Sequence, residues 1–560
     1  MGVPGFFAWL LKKNKNNNQF ILDKPMKPID YFYIDANCLF HPQCFKILEK
    51  YCDEKNVQKL EEKMIEGIII YIEYIIKFVD PKKLIYIAVD GVAPMAKINQ
   101  QRKRRYKSVL ENKLKQQIKD KYNIKTNNIW SNVCITPGTE FMEKLHLNIL
   151  NFCEQFKVQN KTKIIYSSYH SEGEGEHKIL QHIKQQKDGI KIIYGLDADL
   201  FFLSMASQIS NIYLLREHDE LKQKEITEGL KYISIDETKK YCDEYIKELI
   251  ILKHEQNNFK MDIELENNNF CNDFVFLCYF LGNDFVPNFP SLDIALYGLD
   301  IIIDSYVNLY INRQEYLIQK NSINYDYLIE LTQELGKMEY NFFKKILPKK
   351  KHRECNETDD YKKELWELEN LKNNENVINF ELGYLEDNKF KYYEYYFNSS
   401  HYQHKTIEEV CDNYYSALLW ITNYYFNECE NWSWQYLYFQ APFVSDFSVY
   451  LKKNKCKNEK IIPEKNNRII EPYAQLLCVI PIQHECIIPE SFRKLMSKDS
   501  NIIDYFPEIV ELDTFNKSLL WKCSVFVPVI DINRIMNECK KIKLSKKEKN
   551  NNKILKEFIY

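Results

Sequence analysis

The feature that most constrains this chain is a set of acids placed at the ends of short apolar runs. Between residue 31 and about residue 200 such runs alternate with longer helical stretches, the pattern of an α/β domain built around a mostly parallel sheet. The predicted strands are Tyr31 to Ile34, Leu84 to Val89, Lys163 to Tyr166 and Ile190 to Tyr194. Asp35, Asp90, the pair Glu174 and Glu176, and the pair Asp197 and Asp199 fall at or shortly after their ends. In an open α/β sheet, the carboxyl edge of the strands is where ligands bind.

A single acid after a strand is most often a helix N-cap or turn residue. Four strand ends carrying acids are harder to account for in that way. Gly173-Glu174-Gly175-Glu176 and Leu196-Asp197-Ala198-Asp199 put two carboxylates at i, i+2 in predicted extended or turn sequence. That spacing aims both to one side, and the small residues between them permit close backbone approach. Such a cluster repels itself unless neutralised, and oxygen-only ligands favour a hard cation such as Mg²⁺ or Mn²⁺. A phosphatase of the aspartyl-phosphate type also uses Asp-x-Asp, but the Thr that such enzymes place after the pair is missing here.

Just after Asp90 come Gly91-Val92-Ala93-Pro94, then Lys97, Gln101, Arg104 and Arg105, whose spacing puts them on one face of a helix begun near Pro94. Three cations and an amide beside a metal cluster can grip a phosphate, with Arg making bidentate contacts. A solvated charged face is the alternative, and it is the reading for Arg102, Lys103 and Lys107 on the other faces. The stretch from Gln100 to Tyr122, rich in Lys, Arg and Gln and free of Pro and Gly, reads as a long solvated helix able to project as an arm.

At 560 residues the chain exceeds one hydrophobic core, so a catalytic unit with a second packed region is expected. The expected division is a catalytic α/β domain over 1–345, a charged linker over 346–389, a second region over 390–540 and a Lys/Asn-rich, frayed tail over 541–560. A hydrophobic fraction of 45% excludes general disorder, and a net charge of −2 means that any nucleic-acid site must come from local clustering. Sixteen Cys without a CxxC pair, and no secretory signal, point to reduced thiols inside the cell, the cytoplasm ahead of the nucleus. Phe6 stands where a myristoylation signal wants Ser or Thr. The apolar stretch around Ile68 to Ile76 is too short and too polar to span a bilayer, so no membrane role is expected.

With these pieces in place the chain resembles the XRN family of 5′→3′ exoribonucleases. The resemblance runs through Met1-Gly2-Val3-Pro4, Phe6-Phe7 with Trp9, Asp35-Ala36-Asn37 with His41, and the run from Asp90 to Arg105. It continues through Ile135 to Met142, Gly173-Glu174-Gly175-Glu176-His177-Lys178, Gly195 to Asp199, Asp273 to Leu277, and Leu281-Gly282-Asn283-Asp284-Phe285. Beyond the linker, Trp432-Ser433-Trp434, Ala441-Pro442-Phe443 with Ser445-Asp446, Ile502 to Pro507, and Val527 to Asp531 are similar to the family's second block.

The resemblance implies a PIN/FEN-like α/β nuclease domain with a second, mainly helical region packed against it. It adds Asp284 to the six acids, giving a set of seven that would bind two Mg²⁺ ions, with Mn²⁺ able to substitute. It implies that Lys97, Gln101, Arg104 and Arg105 hold a 5′-monophosphate, and that His41 with Trp432 or Trp434 sandwiches the terminal base. The implied substrate is single-stranded RNA, released as 5′-mononucleotides by a monomer acting after a decapping partner that the sequence does not identify. Glu172 departs from the family, standing where a Pro usually precedes Gly-Glu-Gly-Glu, and Leu382 to Phe397 matches only loosely. The length matches a near-minimal catalytic core, and heavy use of Asn, Lys, Ile and Tyr fits an A·T-rich genome such as that of a virus or protist. Two rivals are a flap-type endonuclease acting on DNA, which would follow its last acid with a Gly-rich helix-hairpin-helix, and an RNA-binding scaffold without activity.

Overall fold

The computed structural model describes the chain except for residues 1–4, 14–19, 26–27, 125–129, 187, 218–228, 257–264, 267, 350–353, 373–377, 382–384, 400–403 and 456–465. The Met1-Gly2-Val3-Pro4 motif and part of the charged stretch 346–389 therefore lie outside the described residues. The chain is α/β, with one large mostly parallel sheet and many helices.

The four predicted strands are the adjacent centre of that sheet. β2 (Tyr31–Asp35), β3 (Leu84–Ala88), β4 (Lys163–Ser167) and β5 (Lys191–Tyr194) pair in parallel in the order β5-β2-β3-β4, with Ile34 beside both Ile87 and Tyr194. β6 (Ile212–Glu217) joins β5 in parallel, and β7 (Leu230–Ser234) and β1 (Ile21–Leu22) extend that side antiparallel. β8 (Phe558–Ile559) closes the other side antiparallel to β4.

These strands are buried on both faces, as parallel strands covered by helices must be. Side chains alternate between two layers. Phe32, Ile34, Ile85, Ile87 and Ile164 pack towards α2 (Ala36–Lys50), α3 (Val57–Val79) and α5 (Glu140–Gln159). Tyr33, Tyr86, Ala88, Ile165 and Ile193 face α6 (Gly175–Lys184), α7 (Asp199–Ala206) and α9 (Cys271–Tyr279). This second layer continues without a break into the C-terminal half through Tyr414, Phe443 and Phe447, so the helical region packs directly against the sheet domain. Among the described residues, no helix is long and apolar enough to cross a membrane.

Helix α4 (Met95–Lys121) departs from its expected character. It is no projecting arm: its first turns share a core with Leu476, Leu477 and Val479, and its far end is covered by α12 (Asp360–Glu369), where Lys121 pairs with Glu364 at 2.7 Å. Arg102, read as solvated, is 1% exposed. Its guanidinium donates to the Cys478 carbonyl at 2.8 Å and to that of Tyr505. Lys103 lies over the Phe439 ring at 4.8 Å, and Lys107 donates to the Trp521 carbonyl at 2.8 Å. All three contact the second region because it presents carbonyls and a ring to them, a circumstance local charge cannot reveal.

The Lys/Asn-rich tail is likewise ordered where a frayed end was expected. Ser545 and Glu548 form a capping box for the helix Lys546–Asn551. The chain then runs along the sheet edge, with Leu555 N donating to His170 O at 2.9 Å and Glu557 accepting from Tyr86.

Replacing Arg102 by Met leaves two buried carbonyls without their charged donor, each such bond contributing ~1.5–3 kcal/mol. The expected result is a loss of about 3 kcal/mol or more, read as a lower urea midpoint at unchanged slope. A second expectation concerns acid. His146 is buried against Tyr166, Tyr169, His170 and Phe558, and burial, with the His170 charge adding to it, pulls it from 6.5 to about 4. It stays neutral in the fold while the unfolded chain takes up a proton below 6.5. Stability present above pH 6.5 is therefore lost as the pH falls towards 4. In His146→Phe, unfolding followed over that window should show a shallower pH slope than in the parent.

Candidate functional site

The acids converge because of how the strands end. Asp35 is the last residue of β2, Asp90 follows β3 by two residues and Asp197 follows β5 by three, and β2 lies between β5 and β3. Glu174 and Glu176 stand at the entry to α6, Asp199 opens α7, and Asp284 lies in the turn after α9. The first turns of α2, α4, α6 and α7 therefore meet here, and their dipoles favour negative charge. The two i, i+2 pairs lie at helix starts, a variation on the extended or turn setting expected from their spacing.

Asp35 and Glu174 occupy the N-cap positions of α2 and α6, yet neither side chain makes a cap hydrogen bond. Asn56, Thr139 and Asp359 do cap their helices. The bland explanation for an acid after a strand thus fails for these two, whose carboxylates turn into the cluster.

Tight backbone contacts hold the loops together. Gly91 N donates to Gly173 O at 2.9 Å and Gly173 N to Val92 O at 2.8 Å, zipping the loop after β3 to the one before α6. A Cβ on Gly91 would stand 1.7 Å from the Ser171 carbonyl oxygen, so no side chain fits there. Gly175 N donates to Asp90 Oδ1 at 2.7 Å. Lys178 donates to the carbonyls of Val89 and Ser168 at 2.8 and 2.9 Å, tying β3 and β4 together behind the acids. Arg216 holds the carbonyls of Leu196 and Asp197, and Asn283 Oδ1 accepts from the amides of Phe285 and Val286 to close the turn carrying Asp284.

The cluster holds more negative charge than its surroundings neutralise. Lys97 Nζ stands 2.7 Å from Glu174 Oε1 and 2.7 Å from Asp284 Oδ2. Burial raises Asp35 to about 8, with Asp90 beside it adding to the shift, and raises Asp199 to about 7, with Asp284 adding. Glu176 is also pushed well up by burial. Burial would raise Asp284 too, but the positive charges around it, Lys97 foremost and Arg104 adding, together hold that carboxyl low.

Glu176 Oε2 and Asp199 Oδ2 are buried and have no hydrogen-bond partner among the described residues. Among the described residues, no group of three His, Cys, Asp or Glu side chains is arranged to hold a metal ion as it stands; Lys97 holds the bridging position between Glu174 and Asp284. Oxygen-only donors, surplus negative charge and two unpartnered carboxylate oxygens fit a hard divalent cation, which would compete with Lys97 for those two acids.

The basic face divides in two. Lys97 is buried among the acids and Gln101 is buried a turn later, whereas Arg104 is exposed and Arg105 half-buried. Burial drives Arg105 down to about 9, the neighbouring Arg104 charge adding to it, and its Nε is buried without a partner among the described residues. His41 lies close to both: burial, then the charges of Arg104 and Arg105, lowers it to about 4. Two adjacent guanidiniums and an unpartnered buried N–H suit an anion.

The structure also separates the two tryptophans. Trp432 pairs through its backbone with α4, accepting from Met95 N at 2.9 Å, and its ring tip would be 3.9 Å from a Cβ on Gly173, beside the Glu174 loop. Trp434 is packed away, stacked on Trp420 at 5.1 Å with its N–H on Ser416 Oγ at 3.0 Å. Sequence reasoning missed Tyr424 and Tyr425 on α14 (His404–Phe426), which donate to Glu174 Oε2 at 2.9 Å and Asp199 Oδ1 at 3.0 Å. Nothing distinguishes them locally among 40 tyrosines.

Comparison with known proteins bears on these features together. Residues 1–218 match the family described as XRN 5'-3' exonuclease N-terminus, and residues 264–385 and 381–560 match the Xrn1 helical domain. The chain is 29% identical to 5'-3' exoribonuclease 1 of Homo sapiens over 600 residues, covering 96% of this chain and 34% of that one. It is 28% identical to the 5'-3' exoribonuclease 2 homolog of Drosophila melanogaster, over 96% of this chain and 70% of that protein. With 5'-3' exoribonuclease 1 of Saccharomyces cerevisiae the identity is 26% over 100% of this chain and 44% of that one. The chain thus spans from about a third to about 70% of the length of these relatives.

A Cβ on Gly175 would meet Asp35 Oδ1 at 2.8 Å and the Ala88 carbonyl at 3.3 Å. Gly175→Ala is therefore expected to destabilise by ~1–3 kcal/mol, the usual cost of overpacking, measured as a lower thermal midpoint.

Proposed function

Because this chain belongs to the XRN family of 5'-3' exonucleases, we propose that it hydrolyses single-stranded RNA from a 5′-monophosphate end, releasing 5′-mononucleotides. The observation that carries this reading is that one helix start, that of α4, joins a buried seven-acid cluster to a face bearing Arg104 and Arg105. Asp35, Asp90, Glu174, Glu176, Asp197, Asp199 and Asp284 would hold divalent cations, Mg²⁺ with Mn²⁺ as a substitute. Bound there, such ions supply the Lewis acidity for in-line phosphodiester hydrolysis.

The chain's own residues do the rest. Gln101, Arg104 and Arg105 grip the terminal phosphate, and Lys97, once displaced from Glu174 and Asp284, adds a fourth donor. Fixing that phosphate sets the distance from the chain end to the acids, so one nucleotide leaves per step. A pocket sized for one phosphate excludes capped and triphosphate ends. Trp432 and His41 would hold the terminal base between them; stacking accepts any base because each has a π-face. Trp434, already stacked on Trp420, serves the packing of that loop.

Time courses on end-labelled RNA test the reading. Asp199→Ala should abolish Mg²⁺-dependent mononucleotide release while RNA binding persists, and release at the parental rate would refute the cation assignment. Charge-assisted bonds of ~1.5–3 kcal/mol correspond to roughly ten- to hundredfold. RNA with a 5′-phosphate should decay faster than its 5′-hydroxyl counterpart by at least that lower factor, and Arg105→Gln should remove the difference. Equal decay of the two RNAs by the parent would dismiss the phosphate pocket.

A further inference from the structure

Helix α14 belongs to the second region, yet its last turn ends among the carboxylates. Tyr424 OH donates to Glu174 Oε2 at 2.9 Å, and Tyr425 OH to Asp199 Oδ1 at 3.0 Å. Neither ring has room to turn. Tyr424 is stacked on His177 at 4.6 Å and on Trp420 at 5.0 Å, with Phe285 across its edge at 5.0 Å. Tyr425 is buried against Tyr279 at 5.1 Å.

Each tyrosine engages a single oxygen of its carboxylate. The other oxygen of Glu174 meets Lys97 at 2.7 Å, and the other oxygen of Asp199 is buried without a partner among the described residues. A carboxylate held by one oxygen against a rigid donor has its rotamer chosen in advance, and its second oxygen is presented in a fixed direction. Hydrogen bonds of this kind to metal ligands orient them and sustain cation affinity.

We propose that Tyr424 and Tyr425 are positioning residues for the divalent-cation site, each locking one acid so that its second oxygen faces the cluster. The helical region thereby completes the cation site of the sheet domain. This inference rests on the cation reading given above. It also explains why the aromatic run Trp434, Trp420, Tyr424 and His177 is stacked continuously from the Trp432 loop to the α6 start.

The test is Mn²⁺ binding to the full chain without RNA, followed by the electron paramagnetic resonance signal of free Mn²⁺. Tyr424→Phe and Tyr425→Phe keep the rings and remove only the hydroxyls. Tyr414→Phe is the control, since Tyr414 on the same helix donates to the Pro287 carbonyl at 3.1 Å and to no acid. The expected result is Mn²⁺ affinity about 10–100-fold weaker in the first two variants and unchanged in the third. Their unfolding midpoints in EDTA should fall no further than that of Tyr414→Phe. Parental Mn²⁺ affinity in both variants, equal weakening in the control, or loss of folding in EDTA would overturn the proposal. A parent that binds no Mn²⁺ and cleaves no RNA would overturn the cation reading itself, whereas a parent that binds, with variants that match it, removes this inference alone.

Discussion

Seven carboxylates gathered around one buried lysine set the terms for the rest of the molecule. Charges of one sign at close range in a low-dielectric interior are tolerated only where dipoles, donors or cations answer them. Four helix starts meet at the cluster, the Gly175 amide serves Asp90, Cys38 donates to Asp35 at 2.9 Å, and two tyrosyl hydroxyls serve Glu174 and Asp199. Even so, Asp35 and Asp199 are driven up by burial, and among the described residues Glu176 Oε2 and Asp199 Oδ2 stay unpartnered. The remaining deficit is the physical basis of the proposed cation site.

Helix α4 links that deficit to everything around it. Its first turn sends Lys97 into the acids, its exposed edge carries Arg104 beside Arg105, and its buried face takes the second region through Ile98, Arg102 and Tyr106. Positive charge, the surface proposed to face the substrate and packing against the second region are all carried by one helix. The aromatic stack running from Trp434 to His177 provides a second rigid connection between the same two regions.

Much of this was legible locally. The four central strands were read to within a residue or so of their ends, because parallel strands covered on both faces are apolar runs bounded by abrupt polar change. Six of the acids stood out because they follow such runs, whereas Asp284, in the turn after a helix, came only with the family resemblance. The outer strands did not: β1 and β8 have two residues each, and their pairing depends on where a distant edge lies. Arg102 was misread for a related reason. A guanidinium is solvated or buried according to whether carbonyls await it, and those of Cys478 and Tyr505 come from more than 370 positions away. The tail was misjudged because a Lys/Asn run carries no apolar signal, while its order comes from backbone bonds to the β4 edge and to His170.

What the sequence determined by itself was the chemistry on offer: acids at strand ends, a basic face one turn beyond, and small residues where backbones must touch. These are local properties, written in spacing and residue type. Only the tertiary structure decided how the parts are used. It turned Lys97 towards the acids, put Trp432 beside the Glu174 loop while packing Trp434 away, and brought Tyr424 and Tyr425 to the carboxylates from over 200 residues along the chain. Those outcomes follow from which surfaces meet when helices pack on the sheet, and no window of sequence contains both sides of such a contact.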